Sequence, residues 1–345
     1  MITDFSKPLG DLASEEASRL ENEPALIERQ KKATQRLLCS PPRESCILCA
    51  EELRGQQFLH REIPFLSCAV CGHIQTKALP PSDYPYESDG QGPFARIYPP
   101  LNKADFEDRK NRIYRPKLDW ILSVLERSGH SKNDLSKMGW LEIGSGSGGF
   151  LSSLQDAGIM NFMGFEKDQQ LLERSKSVVS PEKVSLSTAS VGQIIQLHSS
   201  QIICAFFVIE HVENLHELTA TLRLIPPGTL FCFSVPMFGL SCLLEQIAAN
   251  RYARSLDAAI HIQTFTEQSI DFFLSNSGME KIAKWQFGQD ALELRRLLLP
   301  LGNQGEHLRP LSNKLASCLD QLQEVIDKAG LCDQVHMIAR RSHPS

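Results

Sequence analysis

The run Trp140-Leu141-Glu142-Ile143-Gly144-Ser145-Gly146-Ser147-Gly148-Gly149-Phe150-Leu151 limits the architecture of this chain more than any other stretch. An apolar segment gives way to alternating glycine and serine. It resumes as Phe150-Leu151-Ser152-Ser153-Leu154-Gln155-Asp156-Ala157-Gly158, apolar at helical spacing and closed by a glycine. That pattern predicts a strand, a tight turn and a helix start. Glycine lets the main chain turn sharply at the end of a buried strand and lets a ligand approach where a Cβ would obstruct it. A second strand, Phe162-Met163-Gly164-Phe165, ends in Glu166. This is about 20 residues past the glycines, where a nucleotide-binding βαβ unit needs a carboxylate to accept hydrogen bonds from ribose hydroxyls.

A dinucleotide fold would use G-x-G-x-x-G. Here the order is Glu142-x-Gly144-x-Gly146-x-Gly148, which resembles motif I of the class I S-adenosylmethionine-dependent methyltransferases. Glu166 and a later Ile209-Glu210-His211-Val212 follow in the order of that family, so the resemblance spans roughly residues 135–290. It implies an α/β fold, a seven-stranded Rossmann-like sheet, with S-adenosyl-L-methionine as cofactor. Glu142, Gly144, Ser145, Gly146 and Gly148 would then meet the methionine portion and Glu166 the ribose. The other expected strands are Val184–Leu186, Ile202–Ile209, Thr229–Val235, Glu280–Phe287 and Gln334–Arg340. The family often sets an acidic residue against adenine just past the third strand; Ser187, Thr188 and Ser190 stand there instead. A nicotinamide-binding domain and an unrelated glycine turn are the alternatives.

Ile202–Ile209 is continuously apolar, as a central parallel strand buried on both faces should be. Ligands of open α/β sheets lie outside the carboxyl ends of the strands, so Glu210 and His211 should face the chemistry. The resemblance extends to sugar C-methyltransferases, in which the histidine of such a Glu-His pair has been regarded as a general base. An imidazole titrating near neutrality suits removal of a proton from a hydroxyl or an activated carbon. His211 is therefore the expected base and Glu210 the expected substrate-binding or orienting group; simple organisation of the loop is the bland alternative. Methyl transfer needs alignment of the acceptor and a destination for its proton, and requires no catalytic metal.

Ten cysteines in a large chain without a secretory signal argue for reduced thiols or metal ligation. Cys46-Ile47-Leu48-Cys49 and Cys68-Ala69-Val70-Cys71 have the spacing of a zinc ribbon, in which two knuckles joined by a hairpin supply four thiolates. Four sulfurs close the coordination sphere, so zinc there should be structural. His73 is not needed as a ligand. A nucleic-acid-binding ribbon is the competing interpretation, but Arg54 and Arg61 are balanced by Glu51, Glu52 and Glu62. The proline-broken link that follows contains Tyr84-Pro85-Tyr86. Such links occur in zinc-ribbon methyltransferases of nucleotide-linked sugars and glycan precursors, where a tyrosine reaches the cofactor. By resemblance Tyr84 or Tyr86 is a cofactor-binding candidate.

The expected organisation is an N-terminal helical segment at 1–40, interrupted near Pro24; a zinc ribbon at 41–80; and a linker with an amphipathic helix at 81–134, the helix spanning Pro116 to Arg127. The methyltransferase domain then occupies 135–345, with a lid at about 237–262 and a helical insertion at about 290–330. Arg251, Tyr252, Arg254 and His261 are the lid's polar candidates. A helix should start near Gln263, capped by Thr264 with Glu267 or by Thr266. A net charge of −5 does not suit a protein that grips nucleic acid through its overall field. Met1–Gly10 has no apolar signal core, and the apolar runs are far shorter than the ~20 residues of a membrane span, so a soluble cytoplasmic protein is expected. The expected activity is methyl transfer from S-adenosylmethionine to a small-molecule or glycan-linked acceptor, a nucleotide sugar or polysaccharide precursor. The alternatives are an RNA methyltransferase and a non-catalytic cofactor-binding scaffold. The oligomeric state is left open, a homodimer included.

Overall fold

The computed structural model describes residues 1–81, 100–248, 250–257, 260–302 and 309–343. Its twelve described strands are β1 (Ile2–Phe5), β2 (Gly55–His60), β3 (Ile63–Cys68), β4 (Ile74–Thr76), β5 (Trp140–Ile143), β6 (Phe162–Glu166), β7 (Val184–Leu186), β8 (Ile202–Phe206), β9 (Leu230–Pro236), β10 (Gln263–Thr264), β11 (Met279–Phe287) and β12 (Gln334–Arg341). Eight form one sheet in the order β1-β11-β12-β9-β8-β5-β6-β7. It is mostly parallel: β12 alone among these strands runs against its neighbours β9 and β11.

Seven of the eight strands lie where the apolar runs predict them. The eighth, β1, corrects the expectation that the chain opens as a helical segment. It pairs in parallel with β11, Ile2 opposite Ala283 and Phe5 opposite Gln286. An edge strand without a neighbour presents a row of unpaired N–H and C=O groups, and β1 covers that row. The Trp120 indole N–H donates to Asp4 Oδ2 (2.9 Å) and the Trp285 indole N–H to the Ser6 carbonyl (2.9 Å), fastening this terminus to the body.

The helix that follows, Ala13–Leu38, contains Pro24 without a break, against the expected interruption. Proline removes one main-chain donor and crowds the preceding turn, but this helix is held by tertiary partners. Glu23 takes both Arg251 (2.8 Å) and Arg296, Arg29 pairs with Asp257 (2.6 Å), and the Gln30 amide exchanges hydrogen bonds with the main chain of Ala253. These contacts seat it on the segment between β9 and β10. The amphipathic helix also begins earlier than Pro116: Lys103–Arg109 continues through a π-helical turn, Lys110–Tyr114, into Arg115–Arg127.

Two buried clusters cover the faces of the large sheet. Phe150, Leu151 and Leu154 from helix Gly149–Asp156 pack with Leu118, Ile121, Val124 and Leu125 against Trp140 and Ile202. On the other face Leu215, Leu218 and Leu222 from helix Leu215–Leu222 join Phe231, Phe233, Phe273 and Leu274. Each fully buried side chain of this size contributes roughly 1.5–3 kcal/mol, so the glycine turn between β5 and its helix is clamped by the layers on both sides.

A second, antiparallel sheet runs β10-β4-β3-β2. Cys46, Ile47, Leu48, Cys68 and Cys71 share the core cluster of Leu215, Ile270 and Phe273. His216 N–H donates to the Ile47 carbonyl (3.1 Å), and Thr266 Oγ1 to the Gly72 carbonyl (3.0 Å). Thr264 lies in β10, and the cap of helix Glu267–Asn276 is Thr266, in a reciprocal box with Ser269. No described helix is long and apolar enough to cross a membrane.

Candidate active site

The carboxyl ends of β5, β6, β7 and β8 open into a cleft of about 1640 Å³. Single-ligand pockets are ~300–1,000 Å³, so this cleft is larger than one small ligand needs. Its first wall is the glycine turn. Gly146 has φ +55°, and a Cβ built on it meets no atom within 4 Å, so its bare backbone faces the open cleft. The Gly146 N–H donates to Glu166 Oε2 (2.7 Å), and Glu166 Oε1 accepts from the N–H groups of Lys167 and Asp168 (2.8 Å each). Three bonds leave about one of a carboxylate's roughly four lone-pair positions for a ligand hydroxyl. Burial raises the Glu166 pKa in spite of these amides.

Below the turn, Glu142 is buried, and burial pushes its pKa well above the usual range; the nearby Lys117 opposes the shift. Lys117 is itself buried, pushed down to about 8 by desolvation, with its ammonium 4.1 Å from the Phe206 ring centroid. Past β7, Ser187, Thr188 and Ser190 border the cleft. Ser190 caps helix Val191–Leu197 and Ser187 Oγ accepts from Ala189 N–H (3.2 Å), which leaves Thr188 as the hydroxyl without such a local task.

The second wall begins where β8 ends. Phe207 has φ +55°, a left-handed conformation uncommon for a bulky residue and typical of functional sites. The chain then turns through Ile209–His211. Glu210 is 1% exposed, and neither carboxylate oxygen has a hydrogen-bond partner among the described residues. Burial raises its pKa to about 8. His211 Nε2 lies 3.9 Å from Glu210 Oε1, and His211 Nδ1 is 3.0 Å from the Ile260 carbonyl. Burial, aided by His261, lowers the His211 pKa to about 3. The segment between β9 and β10 closes this side with Tyr252, Arg254 and His261.

A family profile described as a methyltransferase domain matches residues 111–284, half of the chain. The chain belongs to the class I S-adenosylmethionine-dependent methyltransferases. No curated protein matches it. The methyltransferase is similar to a solved structure from Galdieria sulphuraria, provisionally named a sarcosine dimethylglycine methyltransferase. The two are 13% identical with a TM-score of 0.45, covering 70% of this chain and 92% of that one. It is also similar to magnesium protoporphyrin IX methyltransferase from Synechocystis PCC 6803 (12%, TM-score 0.43, 71% and 90% covered) and to an S-adenosylmethionine-dependent methyltransferase from Mesorhizobium loti (14%, 0.38, 62% and 95%).

Of the expected site residues of the methyltransferase, Glu142, Gly144, Ser145, Gly146, Glu166, Glu210 and His211 all border the cleft. Gly148 does not. It stands at the helix N-cap with φ +81°, and an added Cβ would lie 2.6 Å from Ser175 Oγ. Tyr84 and Tyr86 lie outside the described residues. Burial shifts the two groups in opposite directions, His211 down and Glu210 up, away from the near-neutral imidazole that suits a general base. Lys117, Tyr114 and Phe207 were not anticipated. The signal for Lys117 was available, since a lysine interrupts the apolar stripe of helix Arg115–Arg127 four residues before Ile121.

Away from the cleft, the four cysteines of the methyltransferase's two knuckles converge. Cys46 Sγ is 3.6 Å from Cys71 Sγ and Cys49 Sγ 3.7 Å from Cys68 Sγ, and all four sulfurs lie within 4.8 Å of one another. Gln75 Nε2 donates to Cys46 Sγ (3.1 Å) while its Oε1 accepts from Ile47 N–H (2.8 Å), steadying the first knuckle. His73 is turned away, 2.7 Å from Gln263 Oε1, and stays outside the cluster.

Proposed function

We propose that this enzyme moves a methyl group from S-adenosylmethionine to a hydroxyl of a small-molecule or glycan-linked acceptor, a nucleotide sugar or polysaccharide precursor. The observation that carries the acceptor side is the buried Glu210 carboxyl group, without a hydrogen-bond partner among the described residues, beside His211 in the same cleft as the glycine turn. An unsatisfied carboxylate in a dry site costs several kcal/mol, and it is retained where it meets a ligand. When bound, the cofactor supplies a methyl carbon activated by its sulfonium. The chain does the rest. Gly146 would leave space for the methionine portion, Glu166 would offer its remaining lone pair to the ribose, and Thr188 would be the hydroxyl available to the adenine. Glu210 and His211 govern the acceptor's proton.

The four converging cysteines fit structural zinc. Zinc binds sulfur at about 2.3 Å, which sets the edges of its tetrahedron near ~3.8 Å, against the observed 3.6 and 3.7 Å. With every position filled by sulfur, the metal's work is to fold the knuckles.

The test is an acceptor screen with labelled cofactor over nucleotide sugars, polysaccharide intermediates and RNA, repeated with Glu210→Gln and His211→Ala. Methyl transfer to a sugar hydroxyl is expected, lowered ~10²–10⁴-fold in both variants at unchanged cofactor affinity. Transfer to RNA alone, or full activity in both variants, refutes the proposal.

A further inference from the structure

We propose that Gln263 and His73 are positioning residues for the acceptor side of the cleft, tying the loop that carries Glu210 and His211 to the cysteine knuckles. What the loop does rests on the functional proposal above; how it is held does not. Between β8 and helix Leu215–Leu222 the N–H groups of His211 and Val212 go to the carbonyls of Val208 (3.0 Å) and Ile209 (3.1 Å). The Val212 carbonyl accepts from Gln263 Nε2 (2.9 Å).

That one bond fixes the next. A carbonyl only accepts, so the Gln263 amide must give its nitrogen to Val212 and keep its oxygen for the opposite side. There Gln263 Oε1 lies 2.7 Å from His73 Nε2, and an amide oxygen also only accepts. The His73 ring therefore carries its proton on Nε2. Both side chains are buried, and His73 Nδ1 has no hydrogen-bond partner among the described residues. Burying an imidazole for a single hydrogen bond is costly, so that bond is what the ring is kept for. Phe265 stands edge-on to it, 4.9 Å between centroids at 71°, and limits its rotation.

The far end of this relay is anchored. The His73 carbonyl accepts from Cys68 N–H (2.9 Å), so its main chain belongs to the second knuckle. Gln263 is set by β10, opposite Gln75 of β4, and the neighbouring Ile262 carbonyl accepts from Thr76 N–H (2.8 Å). The same pass of chain brings the Ile260 carbonyl to 3.0 Å from His211 Nδ1 and stacks His261 on the His211 ring, 5.2 Å apart with 16° between planes. Just beyond the loop, His216 N–H donates to the Ile47 carbonyl of the first knuckle (3.1 Å). The loop is thus held at His211, Val212 and His216 by the small sheet and its knuckles. A displacement of ~1 Å at reacting groups costs about 10²-fold in rate, so slack in the relay would be felt on the acceptor side and not at the glycine turn.

The experiment measures amide hydrogen exchange in the full chain by mass spectrometry, with S-adenosylhomocysteine affinity measured alongside. Gln263→Met keeps the length of the side chain and removes both bonds, His73→Leu removes one, and His73→Gln returns an N–H near the place of Nε2. Exchange across residues 207–216 should quicken roughly 5–10-fold in the first two, the loss of about one hydrogen bond. It should return to the wild-type rate in His73→Gln, and adding His73→Leu to Gln263→Met should change nothing further. Residues 142–150 and cofactor-product affinity should stay as in the wild type. In the acceptor screen, kcat/KM for the methylated sugar should fall ~10–10²-fold in the first two variants and recover in His73→Gln. Wild-type exchange of the loop in Gln263→Met overturns the inference, as does equal loosening of residues 142–150 or no recovery in His73→Gln. Should His73→Leu not fold, Gln263→Met and His73→Gln decide the matter. A loosened loop in a protein that methylates no sugar hydroxyl leaves the tie standing and overturns the acceptor assignment; undiminished methyl transfer with a loosened loop overturns the positioning role.

Discussion

A methyl group added at Gly146 would enter the cleft without touching the protein. The backbone there has φ +55° and nothing lies within 4 Å of an added Cβ, so Gly146→Ala carries only the left-handed strain of an L-residue, roughly 1–2 kcal/mol. With about 2.1 cal/mol/K of unfolding entropy per residue over 345 residues, that strain lowers the melting temperature by only ~1–3 °C. The cofactor, however, must share the space with the new methyl group, and at least tenfold weaker binding is expected, about 1.4 kcal/mol. Gly148→Ala is the internal contrast. Its φ is +81°, and the new Cβ would lie 2.6 Å from Ser175 Oγ and 3.1 Å from Val179 Cγ2. Strain and overpacking together cost roughly 2–5 kcal/mol, a loss of ~3–7 °C, with little direct effect on affinity. Calorimetric unfolding and titration with S-adenosylhomocysteine read the two effects separately. If Gly146→Ala binds like the wild type, while a well-folded Gly148→Ala loses affinity, the bare backbone of Gly146 is not the cofactor's seat.

Elemental analysis should find one zinc per chain at the knuckles. Cys49→Ser or Cys68→Ser should release it and abolish a single cooperative unfolding transition, because the metal supplies much of the folding free energy of so small a unit. Glu245 gives a pH dependence. Its Oε1 accepts from Arg254 and Ser255 N–H (2.8 Å each), Oε2 has no partner among the described residues, and desolvation raises its pKa to about 7. The folded state therefore holds the proton more tightly than the unfolded chain. That stabilisation is complete below pH ~4.5 and is lost as pH rises through about 7, at most ~3 kcal/mol in all. Unfolding of the wild type and Glu245→Gln at pH 5 and pH 8 should show the wild type losing its relative stability over that interval; a constant difference would refute the assignment.

The large sheet was legible because its strands are either continuous apolar runs, as in Ile202–Phe206, or apolar segments ended by glycine, proline or acid. β1 was not legible: its four residues are half-buried or exposed, and the vacancy on β11 that recruits them is made some 280 residues later. The two-residue β10 was hidden for the same reason, since its partner β4 lies far back in the chain. Within the cleft, the glycine turn, Glu166 and the Glu210-His211 pair could be found from their places at strand ends. Their protonation could not, because burial of Glu210 and His211 depends on a loop that returns from residue 260. The same return brings His261 against His211, and no local pattern announces that.

The pairing of β1 with β11 also dictates an order of assembly. The β1 residues have no sheet edge to join until residue 287 has been synthesised, some 280 residues later. Contacts so distant in sequence slow folding and lengthen the exposure of unpaired strands. A bulky tag fused before Ile2 would burden this late docking step, and expression at low temperature with a tag placed at the other terminus should give the higher yield of folded protein.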